Sequence, residues 1–290
     1  MTEEKTKLVL WGPPCVGKTT MVEMLWKKVR RNPLKQGEKP FVFKDYDDNP
    51  GRLRYLPGWG SSILETEFSL DQKSYFLQWS PGSPYKLEEV IPYLLKDAKG
   101  ILFVVNLARH CSAENSESLK QLEEHLPQFA GHSLSSFPVV VCYNKIDCAH
   151  IRPLYASAKK AFDQESGTPA EKYFKYIHKH FNPHNFPWIC TVGYKGVNVK
   201  AAFLKLIELV TYWENHESLP KEACSGEGTV PASFSWKPTG KDYEEEDRYS
   251  WDPPEDEEEV VVVVEEDEKE PKEDAPKDPP SEAGIEDLFG

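Results

Sequence analysis

The sequence predicts an α/β fold whose mostly parallel, six-stranded sheet is covered by helices on both faces. Continuously apolar runs, such as residues 8–11 (LVLW) and 139–143 (VVVCY), alternate along the first 220 residues with longer segments of helical period. Strands of a parallel sheet are buried on both faces, so their sequences read as such uninterrupted runs. A candidate binding motif follows each of these two runs, and folds of this class bind ligands at the carboxyl ends of their strands.

The individual elements follow from the apolar period, taken in chain order. We expect strand 7–11, helix 19–30, strands 63–70 and 74–79, helix 84–97, strand 101–106, helix 115–129, strand 138–143, helices 154–164 and 169–181, strand 187–191 and helix 198–213. A single hairpin is expected, with its turn at Asp71-Gln72-Lys73.

The first motif, GPPCVGKT at residues 12–19, has the glycine and lysine spacing of a phosphate-binding loop. Its backbone N–H groups are expected to form an anion-binding nest where the next helix begins. Gly17 allows close approach of a phosphate, Lys18 is expected to reach the β- and γ-phosphates as ligand and catalytic group, and Thr19 would bind Mg²⁺. The expected ligand contacts are Gly12, Cys15, Val16, Gly17, Lys18, Thr19 and Thr20.

The second motif, NKID at residues 144–147, predicts recognition of guanine. The Asp147 carboxylate can accept hydrogen bonds from both N1–H and the exocyclic amine of guanine, and adenine offers no such pair of donors. Asn144 would connect this loop to the phosphate-binding loop, and the aliphatic stem of Lys145 would lie along the base. Together the motifs predict a site for GTP and GDP, whereas a P-loop kinase would leave Asp147 unexplained.

A third segment, after the predicted strand 187–191, is a weaker candidate for contact with the base. Gly193 and Tyr194 occupy the position at which Ras-like GTPases place a small-residue and lysine motif. Only the surroundings of that motif match here. A plain strand-to-helix turn explains the segment about as well.

Charge divides the chain into a predicted domain at 1–218 and a disordered acidic tail at 219–290. Residues 221–290 contain 7 Lys and Arg against 24 Asp and Glu. The net charge of this segment is therefore more negative than the −13 of the whole chain. The faintly basic domain gives no case for nucleic acid. We expect no membrane span or lipid anchor, and free thiols for the six cysteines, hence a cytoplasmic protein.

The tail leaves two interpretations open. A run of five valines at 260–264 and the terminal segment 283–290 have the character of docking motifs for partner proteins. A solubilising tail with no specific partner is about equally consistent with the composition.

Several segments of the domain resemble the bacterial gliding-motility and cell-polarity GTPases of the Mgl type, a branch of the Ras-like small GTPases. The shared features are the Gly-Lys-Thr-Thr end of the phosphate-binding loop, Leu56-Pro57, Pro81-Gly82, YNKID at 143–147 and GVNV at 196–199. The resemblance implies a P-loop NTPase G domain that binds GTP or GDP with Mg²⁺, and a nucleotide contact at Gly82. It also implies a roadblock-type regulator, effector proteins and a role in cell polarity or motility.

Departures from the family pattern concern hydrolysis. Trp79 stands where Ras-like proteins place the Asp that orients a Mg²⁺-bound water, although the Mgl branch also lacks this Asp. Ser83 stands where most relatives place the water-positioning Gln. Residues 31–60 contain no Thr or Ser for the first switch. Arg52 and Arg54 are the nearby candidates for a catalytic arginine.

These departures leave two functions open: a switch with slow or partner-assisted GTP hydrolysis, and a hydrolysis-deficient GTP-bound scaffold that recruits partners through its tail. Asp45, Asp47 and Asp48 are alternative Mg²⁺ ligands, although a solvated turn explains them better.

Overall fold

A mixed nine-stranded β-sheet forms the centre of the described part of the chain. The computed structural model describes residues 5–31, 41–44, 46, 49–56, 62–81, 87–107, 112–146, 169–220 and 228–229, all of which belong to one compact unit, Met1–Trp236. The strands are β1 (Thr6–Trp11), β2 (Phe41–Phe43), β3 (Arg52–Tyr55), β4 (Ser62–Leu70), β5 (Lys73–Trp79), β6 (Gly100–Asn106), β7 (Val139–Asn144), β8 (Trp188–Thr191) and β9 (Gly228–Thr229).

Within the described ranges there are five α-helices. They are α1 (Lys18–Arg31), α2 (Leu87–Leu95), α3 (Ser112–Ala130), α4 (Pro169–Phe181) and α5 (Val199–His216). The bounds of α4 agree with the prediction, and α2 is shorter than the predicted helix 84–97. Lys96 and the left-handed Asp97 (φ 59°) follow α2 as a turn into β6. The predicted helix 154–164 lies outside the described residues.

The strand order is β2-β4-β5-β1-β6-β7-β8-β9, and β3 also pairs with β4. All pairs from β5 through β1 to β9 are parallel, while β2, β3 and β5 each pair with β4 in antiparallel fashion. The carboxyl ends of β1, β6, β7 and β8 therefore meet at one edge of the sheet. The loops that carry the predicted site follow three of these strands.

Helices cover both faces of the sheet, as the sequence predicts for an α/β fold. Along β6, Ile101, Phe103 and Val105 pack in a cluster with α2, α3 and α4. The alternate residues Leu102 and Val104 pack in a second cluster with α1 and α5. All seven residues of β6 are buried, which explains its uninterrupted apolar sequence.

The six predicted strands correspond to β1, β4, β5, β6, β7 and β8, and three shorter strands were not predicted. All four residues of β3 (RLRY) are exposed, so no apolar alternation marks it. Strands β2 and β9 contain three and two residues, too few to show a period. Strand β9 pairs with β8 and lies beyond the predicted domain boundary at residue 218.

The predicted hairpin joins β4 to β5. Its loop contains two residues, Asp71 and Gln72, both with positive φ (52° and 63°), and Lys73 already belongs to β5. This backbone matches the right-handed twist of the two strands.

Two further expectations concern cysteines and membranes. Among the described cysteines, Cys15, Cys142 and Cys190 are free thiols. None of the helices in the described ranges combines the length and apolar character that a membrane crossing requires.

Candidate functional site

The loop between β1 and α1 has a backbone that requires glycine. Gly12 and Gly17 have φ values of 143° and 102°. A Cβ atom at Gly12 would lie 2.3 Å from the carbonyl oxygen of Val104, so no larger residue fits there. The loop runs directly into the first turn of α1, which contains no acidic residue. The positive end of the α1 dipole is therefore not neutralised by a carboxylate of that turn.

Lys18 begins α1, and its side chain folds back over the loop. Its Nζ donates hydrogen bonds to the carbonyl oxygens of Gly12 (2.7 Å) and Pro13 (2.8 Å). The residue is 6% exposed, and burial lowers the pKa of its ammonium group to about 8. The Lys18 ammonium group is thus a desolvated cation at the positive end of a helix, and its partners in these two contacts are neutral oxygens. An anion would be a better partner.

Asn144, the last residue of β7, connects three loops. Its Nδ2 donates to the carbonyl oxygen of Val16 (2.7 Å). Its Oδ1 accepts hydrogen bonds from the Thr191 hydroxyl (3.0 Å) and from the backbone N–H of Gly193 (2.8 Å). Asn144 is 1% exposed. The contact between Asn144 and the loop after β1 is the one expected from the sequence.

Lys145 makes a second connection between the same two loops. It adopts a left-handed backbone (φ 63°), and its Nζ donates to the carbonyl oxygen of Cys15 at 2.8 Å. The aliphatic stem of Lys145 therefore spans from the end of β7 to the loop after β1. Asp147, the predicted guanine ligand, lies outside the described residues.

The segment after β8 forms a 3₁₀ turn, Gly193–Lys195, that packs against the other two loops. A Cβ atom at Gly193 would lie 3.1 Å from Asn144 Nδ2. Lys28 of α1 donates to the carbonyl oxygen of Gly196 at 2.7 Å, which fixes the far side of the turn. Tyr194 is 56% exposed. These contacts assign Gly193 a structural role at the junction, and Tyr194 lies on its surface.

Thr19, the predicted Mg²⁺ ligand, is hydrogen-bonded to Trp79. The indole Nε1 of Trp79 donates to Thr19 Oγ1 at 3.0 Å, and Trp79 is 1% exposed. An indole is a donor only, so it cannot accept hydrogen bonds from Mg²⁺-bound water. The described residues contain no cluster of three or more His, Cys, Asp or Glu side chains placed to hold a metal ion. Because the indole N–H points at the oxygen that a cation would use, Thr19 beside Trp79 fits the expected Mg²⁺ ligand poorly. Thr20 follows in the first turn of α1.

Arg52 and Arg54, the candidate catalytic arginines, lie on β3 and contact a buried carboxylate. Arg52 Nε lies 2.6 Å from Glu65 Oε1, and Arg54 lies 3.8 Å from Glu65 Oε2. Glu65 is fully buried and also accepts a hydrogen bond from Gln78 (3.2 Å). The hydrogen bond to Glu65 raises the pKa of Arg52. Glu65 lies on the same face of the sheet as Ile63, which packs against α2. Helix α1 packs on the opposite face.

The two arginines line a surface cavity of about 700 Å³. Several lysines from the amino-terminal end of β1 and from the segment after α2 complete its basic lining: Lys5, Lys7, Lys96 and Lys99. The structure thus places Arg52 and Arg54 in a charged cavity on the α2 side of the sheet.

The predicted site residues fall into three groups. The structure brings together the loop after β1 with the first turn of α1, Asn144, Lys145 and the turn that contains Gly193 and Tyr194. It places Arg52 and Arg54 on the other face of the sheet. The remaining candidates, Gly82, Ser83 and Asp147, lie outside the described residues.

The sequence does not reveal two contacts that shape this region. Thr191 donates to Asn144, and the sequence signal for it is a polar residue at the end of an apolar strand. Trp79 is visible as a substitution for the Ras-like Asp, but its contact with Thr19 joins residues 60 positions apart.

No protein-family model matches this chain, and no curated protein sequence matches it. The resemblance to Mgl-type GTPases consequently stays a prediction from the motifs.

Proposed function

We propose that this chain binds GTP and GDP at the junction of the three loops and acts as a nucleotide-dependent switch. The observation that carries the proposal is the position of Asn144, which hydrogen-bonds the phosphate-loop residue Val16 and the turn at Gly193. Asn144 and Lys145, the first two residues of the NKID motif, therefore lie next to the GPPCVGKT loop, as a ligand with a base at one end and phosphates at the other requires.

Each part of the ligand has a candidate partner. Lys18 and the backbone N–H groups of the loop would bind the β- and γ-phosphates. The stem of Lys145 would lie against the base, and the Asp147 carboxylate would accept hydrogen bonds from N1–H and the exocyclic amine of guanine. Within the proposal, the α/β fold of this chain is a P-loop G domain.

The biological setting is proposed from the resemblance alone. A roadblock-type protein would accelerate hydrolysis, effector proteins would recognise the GTP state, and the process would be cell polarity or motility. No step of the proposal relies on Mg²⁺, because Thr19 is hydrogen-bonded to Trp79.

Calorimetric titration of the full chain with GDP, ADP and XDP tests the proposal. We expect binding of GDP and at least about hundredfold weaker binding of ADP, because an Asp147 carboxylate left without its two donors is costly. Asp147→Asn should exchange the preference, since an amide can accept from xanthine N1–H and donate to its 2-oxo group. Equal affinity for GDP and ADP, or binding of neither, would refute the proposal.

A second candidate function is a hydrolysis-deficient scaffold that stays bound to GTP. The contact between Arg52 and Glu65 favours it, because a guanidinium group held by a buried carboxylate is not free to reach a γ-phosphate. The motifs for binding the nucleotide are the same in both candidates. They differ in whether the bound GTP is turned over.

Single-turnover hydrolysis of bound GTP separates the two candidates, with occupancy matched between variants. Under the switch hypothesis, turnover is slow, depends on Lys18 and rises when a roadblock-type protein is added. Under the scaffold hypothesis, GTP persists in all samples. Arg52→Ala, Arg54→Ala and Ser83→Ala then identify the catalytic groups: an arginine that only neutralises Glu65 should change stability and leave the hydrolysis rate unaltered.

A further inference from the structure

Trp79 is held rigidly beside the first turn of α1. Its indole N–H donates to Thr19 Oγ1 at 3.0 Å, and its ring belongs to the core cluster that contains Leu77 and Met21. A Cβ atom at Gly51, before β3, would lie 3.1 Å from ring atom Cη2. The ring therefore cannot turn away from Thr19 without displacing the chain at Gly51 or the core.

This contact changes what the Thr19 hydroxyl can bind. A threonine hydroxyl has two lone pairs and one hydrogen, and an indole N–H only donates. The positive end of the N–H dipole therefore points at the oxygen that a cation would use. Mg²⁺ keeps several water ligands in an octahedral shell, and those waters need acceptors that an indole ring does not offer.

The phosphate charge has other partners in this loop. Among the described residues, Lys18 Nζ donates to the neutral carbonyl oxygens of Gly12 and Pro13. The backbone N–H groups at the start of α1 add the positive end of the helix dipole. Both sources act without a metal ion.

We propose that this chain holds guanine nucleotide with little contribution from Mg²⁺, because Trp79 replaces the magnesium-orienting group and fixes Thr19 by a hydrogen bond. This inference rests on the proposed function and names a property of the same site. Trp79 acts through Thr19 and is a positioning residue.

The experiment measures the dissociation rate of fluorescent GDP from the full chain, chased with unlabelled GDP in excess Mg²⁺ or in excess EDTA. We expect the two rates to differ by less than about threefold. A rate at least about tenfold faster in EDTA would overturn the inference while leaving the proposed function intact. Failure to retain GDP in either buffer would instead refute the proposed function, and this inference with it.

Trp79→Phe tests the hydrogen bond itself, with Trp11→Phe as the matched control. Trp11 is also a buried tryptophan at the end of a strand, but its Nε1 donates to the carbonyl oxygen of Ser118 on the other face of the sheet. Trp79→Phe frees the Thr19 oxygen from the indole N–H, so that Mg²⁺ can use it. In this variant dissociation should be at least about fivefold slower in Mg²⁺ than in EDTA.

Trp11→Phe should leave the ratio of the two rates at its wild-type value. An unchanged ratio in Trp79→Phe would contradict the role of Trp79. If that variant fails to fold, as judged by circular dichroism, the wild-type comparison in EDTA and Mg²⁺ still decides the inference.

Discussion

Two lysines, one near each end of β1, donate to the same kind of partner, a pair of backbone carbonyl oxygens, but lie beside opposite ends of helices. Near the amino-terminal end, Lys7 Nζ donates to the carbonyl oxygens of Tyr93 and Lys96, both at 2.7 Å. After the carboxyl end, Lys18 Nζ donates to two loop carbonyl oxygens at 2.7 and 2.8 Å. Burial lowers the pKa of each ammonium group to about 8.

The helix ends beside the two lysines differ, and Lys7 also lies near the charged groups of Asp97, Arg54, Glu65 and Lys96. Tyr93 belongs to the last turn of α2 and Lys96 follows it, so Lys7 sits at the negative end of a helix dipole, where a cation is stabilised. Lys18 is the first residue of α1 and sits at the positive end, where a cation is destabilised. Two lysines with equal hydrogen bonds and similar pKa values therefore have different roles. Lys7 is a structural cap, and Lys18 is poised for an anion.

The largest expected effect is on nucleotide affinity. Lys18→Met should weaken GTP binding by at least about hundredfold, because charge-assisted hydrogen bonds to a phosphate are lost. Lys7→Met removes the same charge at the other end of β1 and should change the affinity by less than about twofold. Calorimetric titration of both variants measures the difference. Equal losses would show that the two ends do not differ in function.

A second prediction concerns Asn144, which connects the three loops near Lys18. Asn144→Ala should lower the free energy of unfolding by about 2 kcal/mol, because a buried carbonyl, hydroxyl and N–H lose their partner together. Urea denaturation measures this change. Asn115→Ala is the matched control, since Asn115 is also buried and makes two backbone hydrogen bonds, both to Asn106.

Both asparagine variants should lose stability, and only Asn144→Ala should also lose GTP affinity when measured on folded protein. A loss of affinity in Asn115→Ala as well would indicate that binding follows overall stability. The junction would then have no special role in the site.

The third prediction is that GTP affinity falls as pH rises above about 8. In the ligand-free protein Lys18 loses its proton near this pH, and a bound phosphate raises the pKa again, so binding above pH 8 must take up a proton. The decrease should approach about tenfold per pH unit. Lys18→Arg should lack this decrease because its guanidinium stays charged.

The comparison of wild type with Lys18→Arg serves as the control for this pH measurement. Guanine N1–H titrates at alkaline pH equally for every variant, so the difference between wild type and Lys18→Arg isolates Lys18. Lys7→Met should retain the wild-type profile, although the pKa of Lys7 is lowered to the same value. A pH profile that depends on Lys7 would contradict the assignment.

How much of this could be predicted from the sequence depends on whether a contact is local. Strands β6 (GILFVVN) and β7 (VVVCYN) are buried throughout, and their apolar runs predicted them. Strand β3 has four exposed residues and offered no such signal. The salt bridge from Arg52 to Glu65 depends on the antiparallel register of β3 with β4, so it could not be predicted before β3 was known.

The candidate site divides in the same way. A known motif spacing indicated that Asn144 would meet the loop after β1, since that contact is part of the motif. The hydrogen bond from Trp79 to Thr19 results from the parallel pairing of β5 with β1, which places Trp79 opposite Leu10. The contact of Lys7 with the carboxyl end of α2 likewise depends on where that helix ends in space. The sequence around Lys7 does not indicate this position.

The smallest expected effect concerns stability, and here the order of the two lysines reverses. Lys7→Met should leave the ligand-free protein about 1 kcal/mol less stable than Lys18→Met does. Both variants remove a desolvated cation, but only Lys7→Met takes a donor and a favourable charge away from the last carbonyl oxygens of α2. Lys18→Met should leave stability unchanged or raise it by about 1 kcal/mol, because the folded state no longer has to desolvate a cation at the positive end of α1.

Urea denaturation at pH 7, without nucleotide, compares the two variants below the pKa of both lysines. The unfolded state binds more protons than the folded state between pH 8 and the ordinary lysine pKa of 10.5. Wild-type stability should therefore rise with pH across this window, and each variant should lose part of that rise. If Lys18→Met destabilises the protein as much as Lys7→Met does, the hydrogen bonds from Lys18 to carbonyl oxygens contribute more to stability than the unfavourable α1 dipole costs. Lys18 would then be a structural cap like Lys7, with no electrostatic reason to prefer a phosphate.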